Sequence, residues 1–163
     1  MNNIIIFRAH AELSAEVNLQ DYISFAKQHS LVTEWGSDSW DLSKICGRSQ
    51  NLKKRTIANF TSRRKGEPLS LTFKDGAKAI LSEFVRIKRP KEVGKHLQCL
   101  RLIEQALINL DRPVTINEMD NLVMDEAATI LSEYKDKWSR GRVLEALITD
   151  FINPARLTPR PIE

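Results

Sequence analysis

The stretch from Val93 to Leu110 reads VGKHLQCLRLIEQALINL and decides the fold class. Its apolar residues recur every three or four positions, at Leu97, Leu100, Ile103, Leu107 and Leu110. This spacing places them on one face of an α-helix. Residues 111–113 follow this stretch and include a proline, which ends the helix because proline disfavours a helical residue before it. We therefore predict a long helix from Val93 to Asn109, which needs other helices to cover its apolar face.

Similar patterns on both sides predict further helices. The first of these helices begins at Asn18 and ends at 29 or 30, and the second covers 73–88 after a Thr72–Asp75 capping pair. After the long helix, another ends at Tyr134, and the last runs from Ser139 to 152. Thr115 and Glu118 form a capping box that opens a turn of helix. A short helix is predicted from 37 or 38 to Cys46. Short strands are predicted at 4–7 and 56–61.

These elements predict a mainly α protein in two parts. A small mixed N-terminal unit covers residues 1–89, and a compact bundle of three to four helices covers 90–155. The boundary falls at Lys88-Arg89-Pro90-Lys91, because proline stops one helix and suits the first turn of the next. Residues 156–163 lie in a proline-containing tail and are interpreted as the start of a linker.

Charge is distributed unevenly along the chain. Residues 1–101 carry 18 basic and 10 acidic side chains, whereas 102–163 carry 7 basic and 11 acidic ones. Within the basic part, the 25 residues from Leu42 to Gly66 hold eight basic side chains and no acidic one. Such a stretch is typical of a surface that binds a polyanion, above all nucleic acid.

The candidate DNA-binding residues come from three basic groups, which would neutralise phosphates. They are Lys53, Lys54, Arg55, Arg63, Arg64 and Lys65 in the acid-free stretch, Arg89, Lys91 and Lys95 at the helix junction, and Arg140 and Arg142 in the last helix. The alternative interpretation is that these are solvated faces without a partner. Trp35 and Trp40 could stack on bases, but anchoring the short second helix is the favoured interpretation.

Other chemistry finds no support in the sequence. The two cysteines and three histidines are isolated from one another, so no metal site is expected. No glycine-rich phosphate loop or nucleophile elbow is present, and we expect neither a cofactor nor an enzymatic activity of this chain. The apolar segment 4–7 is too short for a signal peptide or a membrane span, so we expect a cytoplasmic protein with reduced thiols.

The order of the C-terminal elements carries a resemblance. A long helix at 93–110, Thr-Ile-Asn-Glu at 115–118, Ser-Arg-Gly-Arg at 139–142 and Ile-Asn-Pro-Ala at 152–155 resemble the core-binding domain of tyrosine recombinases, the phage-integrase family. The similarity covers roughly residues 73–163. It implies a helical domain that clamps duplex DNA together with a separate catalytic domain. It also implies DNA contacts by Lys91, Lys95, Arg140 and Arg142. The family's catalytic arginines, histidines and tyrosine have no counterpart here, which implies a fragment that does not itself cleave or join DNA.

Three functional hypotheses follow. The first is the DNA-binding region of a site-specific tyrosine recombinase, which holds duplex DNA mainly through phosphates. The second is a helical protein–protein adaptor whose acidic bundle docks a partner. The third is a transcription regulator, which ranks lower because the turns at 111–114 and 136–139 lack the expected glycine. Double-stranded DNA is the expected partner, a homo-oligomer on DNA is left open, and no membrane is expected.

Overall fold

The computed structural model describes residues 15–46, 56–60, 69–88, 90, 93–133 and 137–146; of residues 15–18 and 137–139 only the backbone is described. The elements in this part of the chain are α1 (Ala15–His29), β1 (Ser39–Asp41), β2 (Ile57–Asn59), α2 (Leu71–Lys88), α3 (Gly94–Asn109), a 3-10 turn (Ile116–Glu118), α4 (Asn121–Ser132) and α5 (Lys137–Ala146). The fold is mainly α with a small two-stranded sheet, which confirms the predicted fold class.

Helix α3 forms where the apolar spacing predicts it and ends in a left-handed residue. Asp111 has a φ of 54°, and its N–H donates to the carbonyl of Ile108 at 3.1 Å. The N–H of Arg112 donates to the carbonyl of Leu107 at 3.0 Å. These two bonds make a Schellman motif, which satisfies the last carbonyls of the helix. Glycine usually occupies the left-handed position, so Asp111 is held there against its own preference.

The predicted short helix before Cys46 is wrong. Ser39 and Asp41 are exposed while Trp40 and Leu42 are buried, and this alternation has the period of a strand. β1 pairs antiparallel with β2, with Trp40 opposite Ala58. Burial of the tryptophan between the sheet and α2 outweighs the weak helical spacing. The predicted strand at 56–61 is confirmed as β2, and the one at 4–7 lies outside the described residues.

Predicted helix starts differ from the structure for α1, α2 and α5, the last of which begins at Lys137 rather than at Ser139. α1 begins at Ala15 rather than at Asn18, and it ends at His29 as predicted. α2 begins at Leu71, so Thr72 lies inside the helix instead of capping it. The carboxylate of Glu104 on α3 reaches the residue before α2 instead, and accepts hydrogen bonds from Ser70 N–H at 2.5 Å and Ser70 Oγ at 2.7 Å. A buried anion at this helix start is stabilised by the helix dipole.

The capping box predicted at Thr115 and Glu118 is confirmed only in part. A turn of helix does follow Thr115, but Thr115 makes no side-chain capping bond. Asp120 caps α4 instead, because its Oδ1 accepts from the N–H of Val123 at 3.0 Å. Arg112 Nη1 donates to the other oxygen of Asp120 at 2.7 Å. Both contacts hold the pKa of Asp120 below its ordinary value, and the hydrogen bond from the backbone of Val123 has the larger effect.

One hydrophobic cluster includes side chains from both predicted units, such as Phe60, Phe73, Leu100 and Val143. The division into two parts at residue 89 therefore stays a prediction. The boundary does fall between two helices, because α2 ends at Lys88 and α3 begins at Gly94. α5 is described only to Ala146, and the predicted helical residues 147–152 lie outside the described part. Cys46 and Cys99 are both buried thiols. Among the described helices none has the length and apolar content that a membrane span needs.

Candidate nucleic-acid interface

The acid-free basic stretch is attached to the two-stranded sheet. Six predicted residues, Lys53, Lys54, Arg55, Arg63, Arg64 and Lys65, lie outside the described residues, as do the junction residues Arg89 and Lys91. Two undescribed segments, 47–55 and 61–68, contain most of the stretch, and the second also contains Glu67 just beyond it. The residues that flank these segments are described and buried. Lys44, the first basic residue of the stretch, is exposed and pairs with nothing in the described part of the chain.

Hydrogen bonds close both undescribed segments at their bases. Leu42 N–H donates to the carbonyl of Thr56 at 2.7 Å, next to segment 47–55. Leu69 N–H donates to the carbonyl of Phe60 at 3.2 Å, at the ends of segment 61–68. Phe60 N–H donates in turn to the carbonyl of Asp38 at 2.8 Å, which extends the β1–β2 pairing. Both segments therefore start and finish at one small sheet.

A buried lysine holds this sheet against α2. Lys78 has 3% of its surface exposed, and its Nζ donates to the carbonyls of Trp35 at 2.8 Å and Ser37 at 2.9 Å. The same Nζ lies 5.6 Å from the ring centroid of Trp40 and 5.5 Å from that of Phe60. Burial lowers the pKa of Lys78, and the nearby carboxylate of Asp38 opposes that shift. Lys78 is thus engaged inside the fold rather than presented to a ligand.

Aromatic packing and α3 fix the sheet from two further sides. The rings of Trp40 and Phe60 meet edge to face at 4.8 Å, and Trp35 packs against Trp40 at 5.3 Å. Trp40 anchors the sheet, not the predicted short helix. From α3, Arg101 Nη2 donates to the carbonyl of Asn59 at 2.8 Å, at the end of β2. The base of the basic stretch is therefore joined to α2 and α3.

Of the second predicted group, at the junction of α2 and α3, Lys95 is described, and Lys88 lies beside that junction at the end of α2. Lys88 is exposed and Lys95 is half-buried, and neither forms an ion pair in the described residues. Arg86 is paired with Glu83 and lies 5.8 Å over the ring of Phe25. Lys74, near the start of α2, pairs with Asp38 at 2.9 Å beside the sheet. Lys88 is fourteen residues further on α2, about 21 Å along the helix axis.

The two arginines of the third predicted group differ in their surroundings. Arg140 Nη1 donates to the carbonyl of Ser132 at 3.3 Å, so it satisfies the last turn of α4. Arg142 is exposed and precedes Val143, whose carbonyl lies 3.6 Å from Cys99 Sγ on α3. Lys95 is one turn before Cys99 on the same helix. Arg142 and Lys95 are therefore associated with the same part of α3, whereas Arg140 has a structural contact of its own.

Sequence reasoning missed the structural use of Lys78, although a signal existed. Lys78, Leu81 and Val85 have the spacing of one helix face, and all three are buried. In the described residues no group of three potential metal ligands converges. Comparisons of the chain with family models, with curated proteins and with solved structures find no match.

Proposed function

We propose that this protein binds duplex DNA through phosphate contacts made by the basic residues attached to the β1–β2 sheet. The supporting observation is that two hydrogen bonds, Leu42 to Thr56 and Leu69 to Phe60, close both basic segments on one sheet. Lys53, Lys54 and Arg55 are within three residues of Thr56, and Arg63, Arg64 and Lys65 are within four of Phe60 or Leu69. An extended residue spans about 3.6 Å, so chain connectivity keeps the Cα atoms of these six residues within about 15 Å of Thr56, Phe60 or Leu69.

The concentration of positive charge in this part of the sequence favours a polyanion as the ligand. The acid-free stretch offers no carboxylate of its own to neutralise these residues. Duplex DNA carries one negative charge for about every 1.7 Å of its axis, so several cations on one surface can each displace a counterion. Contacts of this kind hold the duplex without reading its sequence.

Duplex binding measured as a function of salt tests the proposal. We expect the triple variant Arg63→Ala, Arg64→Ala, Lys65→Ala to bind more weakly and to reduce the slope of log K against log salt by about 3. Lys44→Ala should reduce the slope by about 1. Lys27→Ala is the matched control, because Lys27 is also exposed and pairs with nothing in the described part of the chain.

The outcomes separate the candidate functions. Unchanged affinity and slope in both the triple variant and Lys44→Ala would remove the sheet-attached residues from the interface. A wild-type chain that does not bind duplex at about 50 mM salt would instead favour the adaptor hypothesis. That hypothesis has one observation of its own, the exposed Asp125 beside the half-buried Glu126 on α4.

A narrower proposal concerns the class of DNA-binding protein. We propose that this chain is the DNA-binding region of a site-specific tyrosine recombinase that acts in the cytoplasm. The sequence resemblance at 73–163 supports this proposal, and the helical second half of the chain is compatible with it. Lys95 on α3 and Arg140 and Arg142 on α5 are the described residues that the resemblance implies in phosphate contacts. Sequencing the gene beyond codon 163 tests this proposal. It predicts an Arg…His-x-x-Arg…Tyr pattern there, and a stop codon at 164 would count against it.

A further inference from the structure

The ammonium of Lys78 on α2 contacts three parts of the chain that build the sheet. Its Nζ donates to the carbonyls of Trp35 and Ser37, which precede β1. The same atom lies 5.6 Å from the ring centroid of Trp40 in β1 and 5.5 Å from that of Phe60, the residue after β2. A single side chain therefore links the helix to the beginning of the sheet and to its end.

Apolar packing holds the sheet on α2 without fixing its direction. Trp40 and Phe60 are buried, and burial of apolar surface is favourable but non-directional. Trp40 Nε1 has no hydrogen-bond partner in the described part of the chain, so no directed bond there orients the indole ring. Lys74, one turn before Lys78, pairs with Asp38 at 2.9 Å, but 45% of the Asp38 side chain is exposed, and exposed pairs contribute little. The buried ammonium, in contrast, makes two directed bonds.

Stability does not explain why a charged group is buried at this position. Burial lowers the pKa of Lys78, because the charged form loses its hydration. Replacing buried charged groups by apolar ones of similar volume is often neutral for stability. A buried polar contact can instead select one arrangement among several that apolar packing would permit. The two carbonyl contacts of Lys78 have this selective character, because each needs a donor at a defined place.

We propose that Lys78 is a positioning residue whose ammonium fixes the place of the β1–β2 sheet on α2. A two-stranded sheet is marginal by itself in water, so the pairing of β1 with β2 depends on its support by the helix. Lys44 is exposed and follows β1 by three residues, so its position depends on the same contact. The consequence for phosphate binding rests on the proposed function: Lys78 sets where Lys44 presents its charge, and it does so without touching the ligand.

Hydrogen exchange of single amides, followed by NMR, tests the positioning. Methionine is similar to lysine in length but is neutral and donates no hydrogen bond. In Lys78→Met the amides of Leu42 and Phe60, which donate to carbonyls across the sheet, should exchange at least about ten-fold faster. Amides of α3 should exchange at the wild-type rate. Lys74→Met is the matched control on the same helix, and it should leave the rates of Leu42 and Phe60 within about two-fold of the wild type.

Three results of this experiment would overturn the proposal. Unchanged exchange at Leu42 and Phe60 would mean that apolar packing alone fixes the sheet. Equal acceleration of the α3 amides would mean that Lys78→Met lowers the stability of the whole fold instead of releasing the sheet. Equal acceleration in Lys74→Met would mean that burial of the ammonium is not what positions the sheet.

Chemical rescue distinguishes the ammonium from the space that it fills. The side-chain atoms that Lys78→Ala removes match n-propylammonium in size. At constant ionic strength, this cation should restore slow exchange at Leu42 and Phe60, because it can donate to both carbonyls. Propan-1-ol has the same size but donates a single hydrogen bond, so it should not restore slow exchange. Equal rescue by both compounds, or no rescue by the amine, would contradict the role of the ammonium.

Duplex binding separates this proposal from the proposed function. The loss of affinity caused by Lys44→Ala should be at least about two-fold smaller in a Lys78→Met background than in the wild type, since Lys44 is no longer held in place. Equal losses in the two backgrounds would overturn the link between Lys78 and phosphate binding. A wild type that does not bind duplex would contradict the proposed function, whereas the exchange rates would still decide whether Lys78 positions the sheet.

Discussion

Replacing Gly76 by alanine tests the contact that joins the first half of the fold to the second. Gly76 lies inside α2, and a Cβ built on it would come 2.5 Å from Ile116 Cγ1 and 3.2 Å from Ile116 Cβ. Rotation of the Ile116 side chain cannot clear the second contact, because Cβ is fixed to the backbone. The 3-10 turn that carries Ile116 must therefore move away from α2.

Two opposing effects set the expected magnitude. Alanine in a helix interior is favoured over glycine by about 1 kcal/mol. Overpacking a core costs about 1–3 kcal/mol, and a contact this short belongs to the upper part of that range. We expect Gly76→Ala to lower the free energy of unfolding by about 1–2 kcal/mol, which corresponds to a fall in Tm of about 3–6 °C.

Urea unfolding followed by circular dichroism measures the effect, and another glycine supplies the control. Gly141 in α5 has nothing within 4 Å of its ideal Cβ position, so Gly141→Ala should stabilise by up to about 1 kcal/mol. In an Ile116→Ala background, Gly76→Ala should be much less destabilising, because Cγ1 at 2.5 Å is gone and only the 3.2 Å contact with Cβ remains. A Gly76→Ala variant as stable as Gly141→Ala would refute the close approach of Ile116 to α2.

Two further predictions concern helix ends. Asp111→Gly should raise the free energy of unfolding by about 0.5 kcal/mol because φ is 54° there, whereas Asp111→Ala should lower it; thermal melts distinguish these signs. Asp120 has a lowered pKa, so its charge stabilises the fold above the ordinary carboxyl pKa of about 4 and this contribution is lost as pH falls through the lower folded value. The Tm difference between wild type and Asp120→Asn should be positive at neutral pH and shrink below about pH 4; a constant difference would contradict this role.

The sequence predicts the helices better than the contacts at their ends. α2, α3 and α4 each present an apolar face with helical period, and this signal is local to the chain. The caps of α2 and α4 involve Glu104 and Asp120, and Glu104 comes from another helix. A carboxylate 34 residues away cannot be assigned to Ser70 from spacing alone.

Strand β1 escaped prediction for a related reason, whereas β2 lies within the strand predicted at 56–61. β1 is three residues long, so its alternating pattern is too short to outweigh helical spacing. Trp40 becomes a strand residue because Ala58 pairs with it and Phe60 and Lys78 pack around it. The basic stretch, in contrast, was evident from composition, since eight positive charges without a carboxylate need no structure to be recognised.

Counting basic residues overstates how many are available to a ligand. Lys78, Arg101 and Arg140 donate to backbone carbonyls. Lys74, Arg86 and Arg112 are in ion pairs with carboxylates. Six of the basic side chains in the described residues are therefore already used to hold elements together. In the proposed complex, phosphate contacts would then fall to the acid-free stretch at the sheet and to Lys88 at the other end of α2. Lys78, which contacts the sheet, lies ten residues before Lys88 on α2, about 15 Å along the helix axis, so a duplex that touches both groups must span that distance. A duplex too short to span that distance should therefore lose the contribution of Lys88 while it keeps that of Lys44.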